Sequence, residues 1–180
     1  TMVHEIGHAI GLEHPHDGRI MDSDYDYTKY SIMSYNDWGD GAAAGWMNGY
    51  WGPNDEWFYH ATHLMVYDIA AIQHMYGANY AYNSGNTIYT YDPSTKFVET
   101  IWDGGGTDLL DLSNFKIGST ISLEPGSYSA IGYKSWDYGD NLGIAFDCFI
   151  ENVHGTQASD IITGNEVNNQ LNGFNGNDTI

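Results

Sequence analysis

The stretch TMVHEIGHAIGLEH (residues 1–14) carries an apolar pattern of helical period. Apolar residues recur at three- and four-residue spacing, which is typical of an amphipathic helix, and they are Met2, Val3, Ile6, Ala9 and Ile10. Gly11 stands where a helix commonly ends, and Pro15 prevents its continuation. The stretch therefore predicts a short helix at the start of the chain with this apolar face buried.

The histidines of the same stretch are spaced as metal ligands. His4 and His8 are four residues apart, so their imidazoles share one helical face. Gly11 allows a sharp turn that brings His14 back as a third nitrogen ligand. Three protein ligands with an open fourth position are typical of a catalytic Zn²⁺. Glu5, one residue after His4, is placed to take a proton from a water molecule rather than to bind the metal.

The pattern H-E-x-x-H-x-x-G-x-x-H is the extended motif of the metzincins, which a methionine-containing turn completes downstream. The segment YSIMSYND (residues 30–37) supplies such a turn. Met33 is predicted to lie beneath the histidines as a soft, apolar floor. Without the upstream histidine motif, Met33 would be interpreted as an ordinary core methionine. With that motif, we interpret it as the methionine that packs beneath the zinc-binding histidines.

The remaining chain changes character near residue 82. A second helix is predicted within residues 60–79, with Leu64, Ile69, Ile72, Met75 and Tyr76 on its buried face and Gly77 as its stop. After residue 83, short β-branched or aromatic runs bounded by Gly, Pro, Asn or Asp predict strands, and these runs are NTIYTYD, KFVETIWD, TISLEPG and LGIAFDCFIENV. Cys148, in the last run, is interpreted as a small core residue. We expect two units, residues 1–82 and 83–180.

The last residues contain a nine-residue repeat: GTQASDIIT, GNEVNNQLN and GFNGNDTI (residues 155–180). Asp160, Asn169 and Asp178 fall at the sixth position of each unit, while Ile162, Leu171 and Ile180 fall at the eighth. This is a degenerate form of the repeat that builds a calcium-binding parallel β-helix. We expect the apolar residues to stack in one line, and Asp160 and Asp178 to bind Ca²⁺ with oxygen ligands.

The composition excludes some partners. The chain has 180 residues, with 5 Lys and Arg against 24 Asp and Glu, which gives a net charge of −19. Such a chain repels nucleic acid and anionic membranes, and no stretch is long and apolar enough for a membrane span. The acidic surplus is compatible with cation binding, or with solubility alone.

In combination, HEIGHAIGLEHP, YSIMSYND, YDIAAIQHMYGAN and the glycine-rich repeats resemble the serralysins, secreted bacterial zinc endopeptidases with a calcium-binding β-roll. The resemblance implies an α+β fold: the C-terminal half of a metzincin catalytic domain, with zinc helix, Met-turn and second helix, followed by an all-β calcium-binding β-sandwich or parallel β-roll. It also implies that Tyr35 lies over the zinc, where it binds the metal at rest and stabilises the oxyanion during reaction.

The resemblance implies calcium ligands before the repeats as well. They fall in the segments YNSGNTIY, IWDGGGTDLLDL and FIENVHG, and they are Asn83, Gly85, Thr87, Asp103, Gly105, Gly106, Asp108, Phe149 and Glu151. Loss of calcium is expected to loosen residues 150–180 first. His16, His60, His63 and His74 are interpreted as loop, helix-surface or core residues outside the ligand set.

The function expected from the resemblance is an extracellular zinc endopeptidase. Its partners would be protein and peptide substrates and a proteinaceous protease inhibitor, and it would act as a monomer. The alternative is a calcium-dependent β-roll binding protein with a vestigial or incomplete protease half. Because the zinc helix begins almost at Thr1, we expect the chain to be a fragment that lacks the N-terminal subdomain. The aromatic segment 45–59 either lines the substrate cleft or caps the domain.

Overall fold

The computed structural model describes residues 1–18, 21–36, 61–95, 97–132 and 140–180. The aromatic segment 45–59 and His60 lie outside these ranges, so both predictions for them stay open. Within the described part the fold is mostly β with few helices. The helices are α1 (Met2–Ala9), a 3-10 turn (Ser23–Tyr25) and α2 (Val66–Tyr76). The strands are β1 (Ile88–Thr90), β2 (Glu99–Ile101), β3 (Leu109–Asp111), β4 (Thr120–Ser122), β5 (Tyr128–Ser129), β6 (Leu142–Ile144), β7 (Asn152–His154), β8 (Ile161–Thr163) and β9 (Gln170–Asn172).

Helix α1 begins and ends as the sequence predicts, but its buried face differs. The Thr1 side chain caps the helix by accepting a hydrogen bond from the His4 amide at 3.3 Å, and Gly11 has a left-handed φ of 101°. Met2 and Ile6 are 81% and 51% exposed, so the predicted apolar face was wrong for these two residues. The buried residues of the helix are His4 and Gly7, because the Met-turn packs on that side.

Gly7 provides the space that Met33 fills beneath α1. A Cβ atom at residue 7 would lie 2.5 Å from Met33 Sδ and 3.4 Å from Leu12 Cδ1. Met33 is 1% exposed and packs in a small core with Leu12 and Ile32. The prediction that Met33 forms a buried floor under the helix is therefore supported by its packing.

Replacing Gly7 by Ala should destabilise the chain by about 1–3 kcal/mol, because Met33 must move out of a closed space. The substitution improves helix propensity by about 1 kcal/mol, so only the steric cost can make the net effect unfavourable. Urea unfolding would measure the difference, with Gly85→Ala as control because a Cβ there meets no atom within 4 Å. A Gly7→Ala chain as stable as the wild type would contradict the packing described.

Helix α2 is shorter than the predicted span and buries fewer of the expected residues. Ile69 packs against the core of the β part, and Leu64 and Ile72 pack against the core around Met33. Met75 and Tyr76 are 44% and 67% exposed, so their predicted burial was wrong. They fall on the last turn before Gly77, where the helix has passed beyond both cores.

The strands are stacked mainly in parallel. One sheet has the order β1-β3-β7-β9 and all its neighbouring pairs are parallel; β4 and β8 form a second parallel pair, and the third sheet has the order β2-β6-β5. The core lies between these sheets and includes Leu110, Ile121, Ile144 and Val153, each at most 1% exposed. Cys148 is fully buried there, as the sequence predicts.

Two nine-residue units, each with one strand, make one full turn of the roll. Asn152 of β7 pairs with Gln170 of β9, and Ile161 bridges to Thr179, so in both sheets the partner is 18 residues later. Consecutive nine-residue units therefore lie in opposite sheets. The prediction that Ile162, Leu171 and Ile180 form one line was wrong, because each unit reverses the chain direction: Ile162 pairs with Ile121, while Leu171 pairs with Val153.

The helical and β parts of the chain are packed directly against each other. A Cβ on Gly143 of β6 would lie 2.7 Å from Val66 Cγ2, and the rings of Tyr30 and Tyr128 are 5.0 Å apart in edge-to-face contact. Lys29, with a side chain only 3% exposed, binds Asp140 at 2.7 Å. This contact surface fixes the segment 29–36 relative to the strands.

Candidate metal sites

Three histidine rings meet at the C-terminal side of α1. One ligand nitrogen from each of His4, His8 and His14 lies within 4.8 Å of the others, and His8 Nε2 is 3.1 Å from His14 Nε2. In a tetrahedral zinc site with Zn–N bonds near 2.0–2.1 Å, two ligand nitrogens stand about 3.3 Å apart. The spacing of these rings therefore fits a small tetrahedral ion.

The other nitrogen of each ring is already occupied. Nδ1 of His4 contacts the Ile32 carbonyl at 2.8 Å, Nδ1 of His8 contacts the Leu12 carbonyl at 3.0 Å, and Nδ1 of His14 contacts Asp17 Oδ2 at 2.8 Å. Because these partners accept hydrogen bonds, Nδ1 is the donor in each ring, and Nε2 is the nitrogen left to bind a metal. The hydrogen bond from His14 lowers the pKa of Asp17. These contacts thus hold all three rings in orientations that leave Nε2 for a metal.

His4 Nε2 gives independent support for a ligand at this point. This atom is buried and has no hydrogen-bond partner within the described residues. Burying an unpaired polar nitrogen is unfavourable, and a zinc ion between the three rings would satisfy it. The residues present therefore fit Zn²⁺.

Glu5 and Tyr35 flank this triad. Glu5 is exposed on α1, one position beyond His4. The ring of Tyr35 lies 5.3 Å from His4 and 4.7 Å from His14, measured between centroids, and is 64% exposed. His16 lies closer to the site than the sequence indicates, because its ring is parallel to that of His14 at 5.2 Å. His63 and His74 are exposed and belong to none of the potential metal-ligand groups in the described part of the chain.

Asp68 is a buried residue that binds the segment next to the histidines. It was not identified from the sequence. Its carboxylate is 2% exposed and accepts hydrogen bonds from Ser31 Oγ, the Ile32 amide and the Met65 amide at 2.7–2.8 Å. Burial raises the pKa of Asp68, and these donors oppose the shift. Since the Ile32 carbonyl holds His4, Asp68 connects α2 to the metal site. An aspartate on the otherwise apolar face of α2 was the signal that could have found it.

All the predicted calcium ligands before the repeats except Phe149 are linked by contacts around a buried acidic group, which consists of Asp103, Asp108 and Glu151. Asp103 and Asp108 are 3% and 0% exposed. Asp108 accepts from the Thr87 amide at 2.8 Å, and its own amide donates to Glu151 Oε2 at 2.7 Å. A Cβ on Gly106 would lie 2.6 Å from the Gly85 carbonyl oxygen, which brings the glycine turn against that segment. Asn83 contacts Tyr89, whose hydroxyl donates to Asp103 Oδ2 at 2.6 Å.

This acidic group lacks a compensating cation in the described part of the chain. No lysine or arginine pairs with these carboxylates there, and Asp108 Oδ2 is buried without a partner. The carboxylates do not approach within 4.8 Å as a set of three, so an ion would also need carbonyl oxygens, such as that of Gly85, which lies against the glycine turn. The ligand role of Phe149 stays a prediction. Carboxylate and carbonyl oxygens are the ligands that Ca²⁺ prefers.

Burial raises the pKa of Asp108 to about 6, and Asp103 and Glu151 raise it further against the Thr87 hydrogen bond. Because its pKa is higher in the folded than in the unfolded chain, the Asp108 carboxyl stabilises the fold in its protonated form. This contribution is lost as the pH rises through about 6. Without calcium, the wild type should lose stability relative to Asp108→Asn between about pH 4 and pH 7. Urea unfolding with chelator would show this, and added calcium should reverse it in the wild type alone. Parallel pH profiles of the two chains would contradict the account.

The repeat aspartates are used differently from each other. Asp160 is 1% exposed and accepts hydrogen bonds from the Ser119 amide, the Thr156 amide and the Thr156 hydroxyl at 2.6–2.9 Å. Asp178 Oδ1 accepts from the Asp160 amide at 2.9 Å. Asn169 donates to the Glu151 carbonyl at 3.0 Å. The structure therefore places Asp160 as a buried hydrogen-bond acceptor, and its calcium role stays a prediction.

Comparison with known proteins agrees with this architecture. The family model described as Peptidase M10 serralysin C terminal matches residues 67–179. Metalloprotease AprA of Pseudomonas entomophila (strain L48) is 36% identical over 95% of this chain. Serralysin G of Dickeya chrysanthemi and Serralysin of Proteus mirabilis are 34% and 32% identical, also over 95% of the chain.

The matches to these relatives extend beyond the family model towards the histidine segment. A match over 95% of 180 residues omits about nine residues (5% of 180), so it reaches well before residue 67. The chain spans only 37%, 37% and 36% of the length of the three relatives. The family-model match nevertheless covers more than half of the chain, and the chain belongs to the Peptidase M10 serralysin C-terminal family.

Proposed function

We propose that the chain is the zinc-binding and calcium-binding part of a secreted zinc endopeptidase. The observation that carries the proposal is the triad of His4, His8 and His14, in which one ligand nitrogen from each ring lies within 4.8 Å of the others while the Nδ1 atoms contact hydrogen-bond acceptors. Residues 1–82 would supply the lower part of a metzincin catalytic domain, and residues 83–180 would form the calcium-binding β-roll.

Each residue then has a defined task. A zinc ion, when bound, would supply Lewis-acid activation of water and of the scissile carbonyl. Glu5 takes the proton from the attacking water and delivers it to the leaving amine. The hydroxyl of Tyr35 donates a hydrogen bond to the oxygen on which negative charge develops. Met33 and Asp68 hold the histidine-bearing segments in place.

Calcium would bind in the acidic group around Asp103, Asp108 and Glu151 and would compensate its charge. Extracellular fluid is rich in calcium, so a fold completed by this ion suits a protein that acts outside the cell. Within the described ranges no helix is long and apolar enough to cross a membrane. The partners proposed are protein and peptide substrates, a proteinaceous inhibitor as a further ligand of the cleft, and no second copy of the chain.

Casein hydrolysis would test the activity. The chain would be assayed alone and joined to the part of a relative such as Metalloprotease AprA that precedes the matched region, because the chain spans 37% of that relative. Activity that a chelator removes and zinc restores would support the proposal. A zinc-loaded, folded chain that is inert in both forms would contradict it and favour a calcium-dependent binding module.

A further inference from the structure

Tyr35 is held in place by its neighbours in the chain rather than by enclosure of its ring. The ring is 64% exposed, although it stands over His4 and His14. An exposed tyrosine would normally sample several rotamers and backbone positions. Its position over the histidines therefore depends on what fixes residues 34 and 36.

Both flanking residues are bound to Asp26. The hydroxyl of Ser34, which is 3% exposed, donates to Asp26 Oδ1 at 2.6 Å. The side-chain amide of Asn36 donates to the Asp26 carbonyl oxygen at 2.9 Å. The Asn36 amide also donates to Ser34 Oγ at 3.0 Å, which closes the loop around Tyr35. One residue thus holds the chain on both sides of the tyrosine.

The backbone around Asp26 is itself constrained. The Tyr27 amide donates to the Tyr25 carbonyl at 2.9 Å, and Asp26 has φ −81° and ψ 64°, which is an inverse γ-turn. The Thr28 amide donates to the Asn36 carbonyl at 2.8 Å. The Asp26 side chain is nearly buried at 9% residue exposure, so its hydrogen bond to Ser34 is shielded from water.

The second oxygen of the Asp26 carboxylate faces His16. Asp26 Oδ2 lies 3.6 Å from His16 Nδ1. The His16 ring is parallel to His14 and 5.8 Å from the ring of Tyr35. Asp26 therefore contacts the segment that carries Tyr35. It also contacts His16, whose ring packs against Tyr35 and against His14.

We propose that Asp26 is a positioning residue that holds Tyr35 over the metal site through Ser34 and Asn36. The inference rests on the proposed zinc site and adds to it the residue that controls the tyrosine. A displacement of about 1 Å in a group that acts on the reacting atoms can cost about 10²-fold in rate. A short hydrogen bond to a carboxylate is about twice as strong as a neutral one, which suits this task.

Copper(II) in place of zinc offers a direct readout of Tyr35. A phenolate bound to copper(II) absorbs visible light by charge transfer, and imidazoles alone do not give this band. The wild-type chain should show the band, and Tyr35→Phe should lack it. Asp26→Ala removes the carboxylate that accepts from Ser34, although the carbonyl of residue 26 that accepts from Asn36 remains. The band should therefore weaken strongly while the chain still binds copper, because the three histidines remain. Asp26→Asn should keep it, because the amide oxygen can still accept from Ser34.

Asp22→Ala is the matched control, since Asp22 is exposed and only caps the 3-10 turn by accepting from the Asp24 amide. Should Asp26→Ala fail to fold by circular dichroism, Ser34→Ala removes the hydrogen bond to Asp26 together with the acceptor of the Asn36 amide, and it should weaken the band. A full band in Asp26→Ala or Ser34→Ala overturns the proposal, as does the lack of a band in copper-loaded wild type. Failure of the proposed zinc site would give a different result, because the wild type would then bind no copper at all.

Discussion

Glu5→Gln is expected to slow protein hydrolysis by about 10²–10⁴-fold while it leaves zinc affinity unchanged. The amide is nearly the same size as the carboxylate, but it cannot accept a proton. Glu5 is exposed on α1 and contributes nothing to the two cores, so the fold should be unaffected. The loss therefore reports proton transfer and not stability.

The measurement is the rate of casein or peptide hydrolysis in whichever form of the chain is active, together with a zinc titration of the same samples. Glu13→Gln is the control, because Glu13 is also exposed and lies eight residues later on the same segment. An active Glu5→Gln chain, or one whose lost activity follows lost zinc, would show that Glu5 is not the general base.

Asp68→Ala is expected to destabilise the chain by at least about 3 kcal/mol, because it leaves three buried donors without an acceptor and each costs about 1–3 kcal/mol. Asp68→Asn should cost less, since its amide oxygen replaces one acceptor. Zinc affinity should also fall by about 10–100-fold in Asp68→Ala, because the Ile32 carbonyl that orients His4 loses its support.

Urea unfolding of the two Asp68 variants, with zinc titrations of the folded protein, would measure both effects. Asp24→Ala provides a control at an exposed aspartate. If Asp68→Ala unfolds at the wild-type urea concentration, the hydrogen bonds from Ser31, Ile32 and Met65 do not carry the stability assigned to them.

The meeting of the three histidine rings could be predicted because it depends on local geometry. A four-residue step on a helix and a glycine turn place His4, His8 and His14 with few other requirements. Met33 and the core position of Cys148 followed from similarly local patterns. The same holds for the strand at TISLEPG, where β4 occupies residues 120–122.

Other features depend on contacts between distant parts of the chain. Ile6 and Met2 have the period of a buried face, yet the core is on the side of His4 and Gly7. The sequence shows a period of nine, and only the pairing of Asn152 with Gln170 shows that two units make one turn. The roles of Asp26 and Asp68 are hard to see in the sequence, because all their side-chain hydrogen-bond partners except Met65 are 8 to 37 residues away.

Zinc binding by three histidine nitrogens is the property on which the proposed activity depends most. Zinc titration of the metal-free chain against a chromophoric chelator, with His8→Ala and the exposed His63→Ala as variants, tests it most directly. We expect the wild type and His63→Ala to bind one zinc ion tightly. His8→Ala should lose at least about 10²-fold in zinc affinity, since one of three ligands is gone. Equal affinity in all three chains, or no tight zinc in the wild type, would contradict the account.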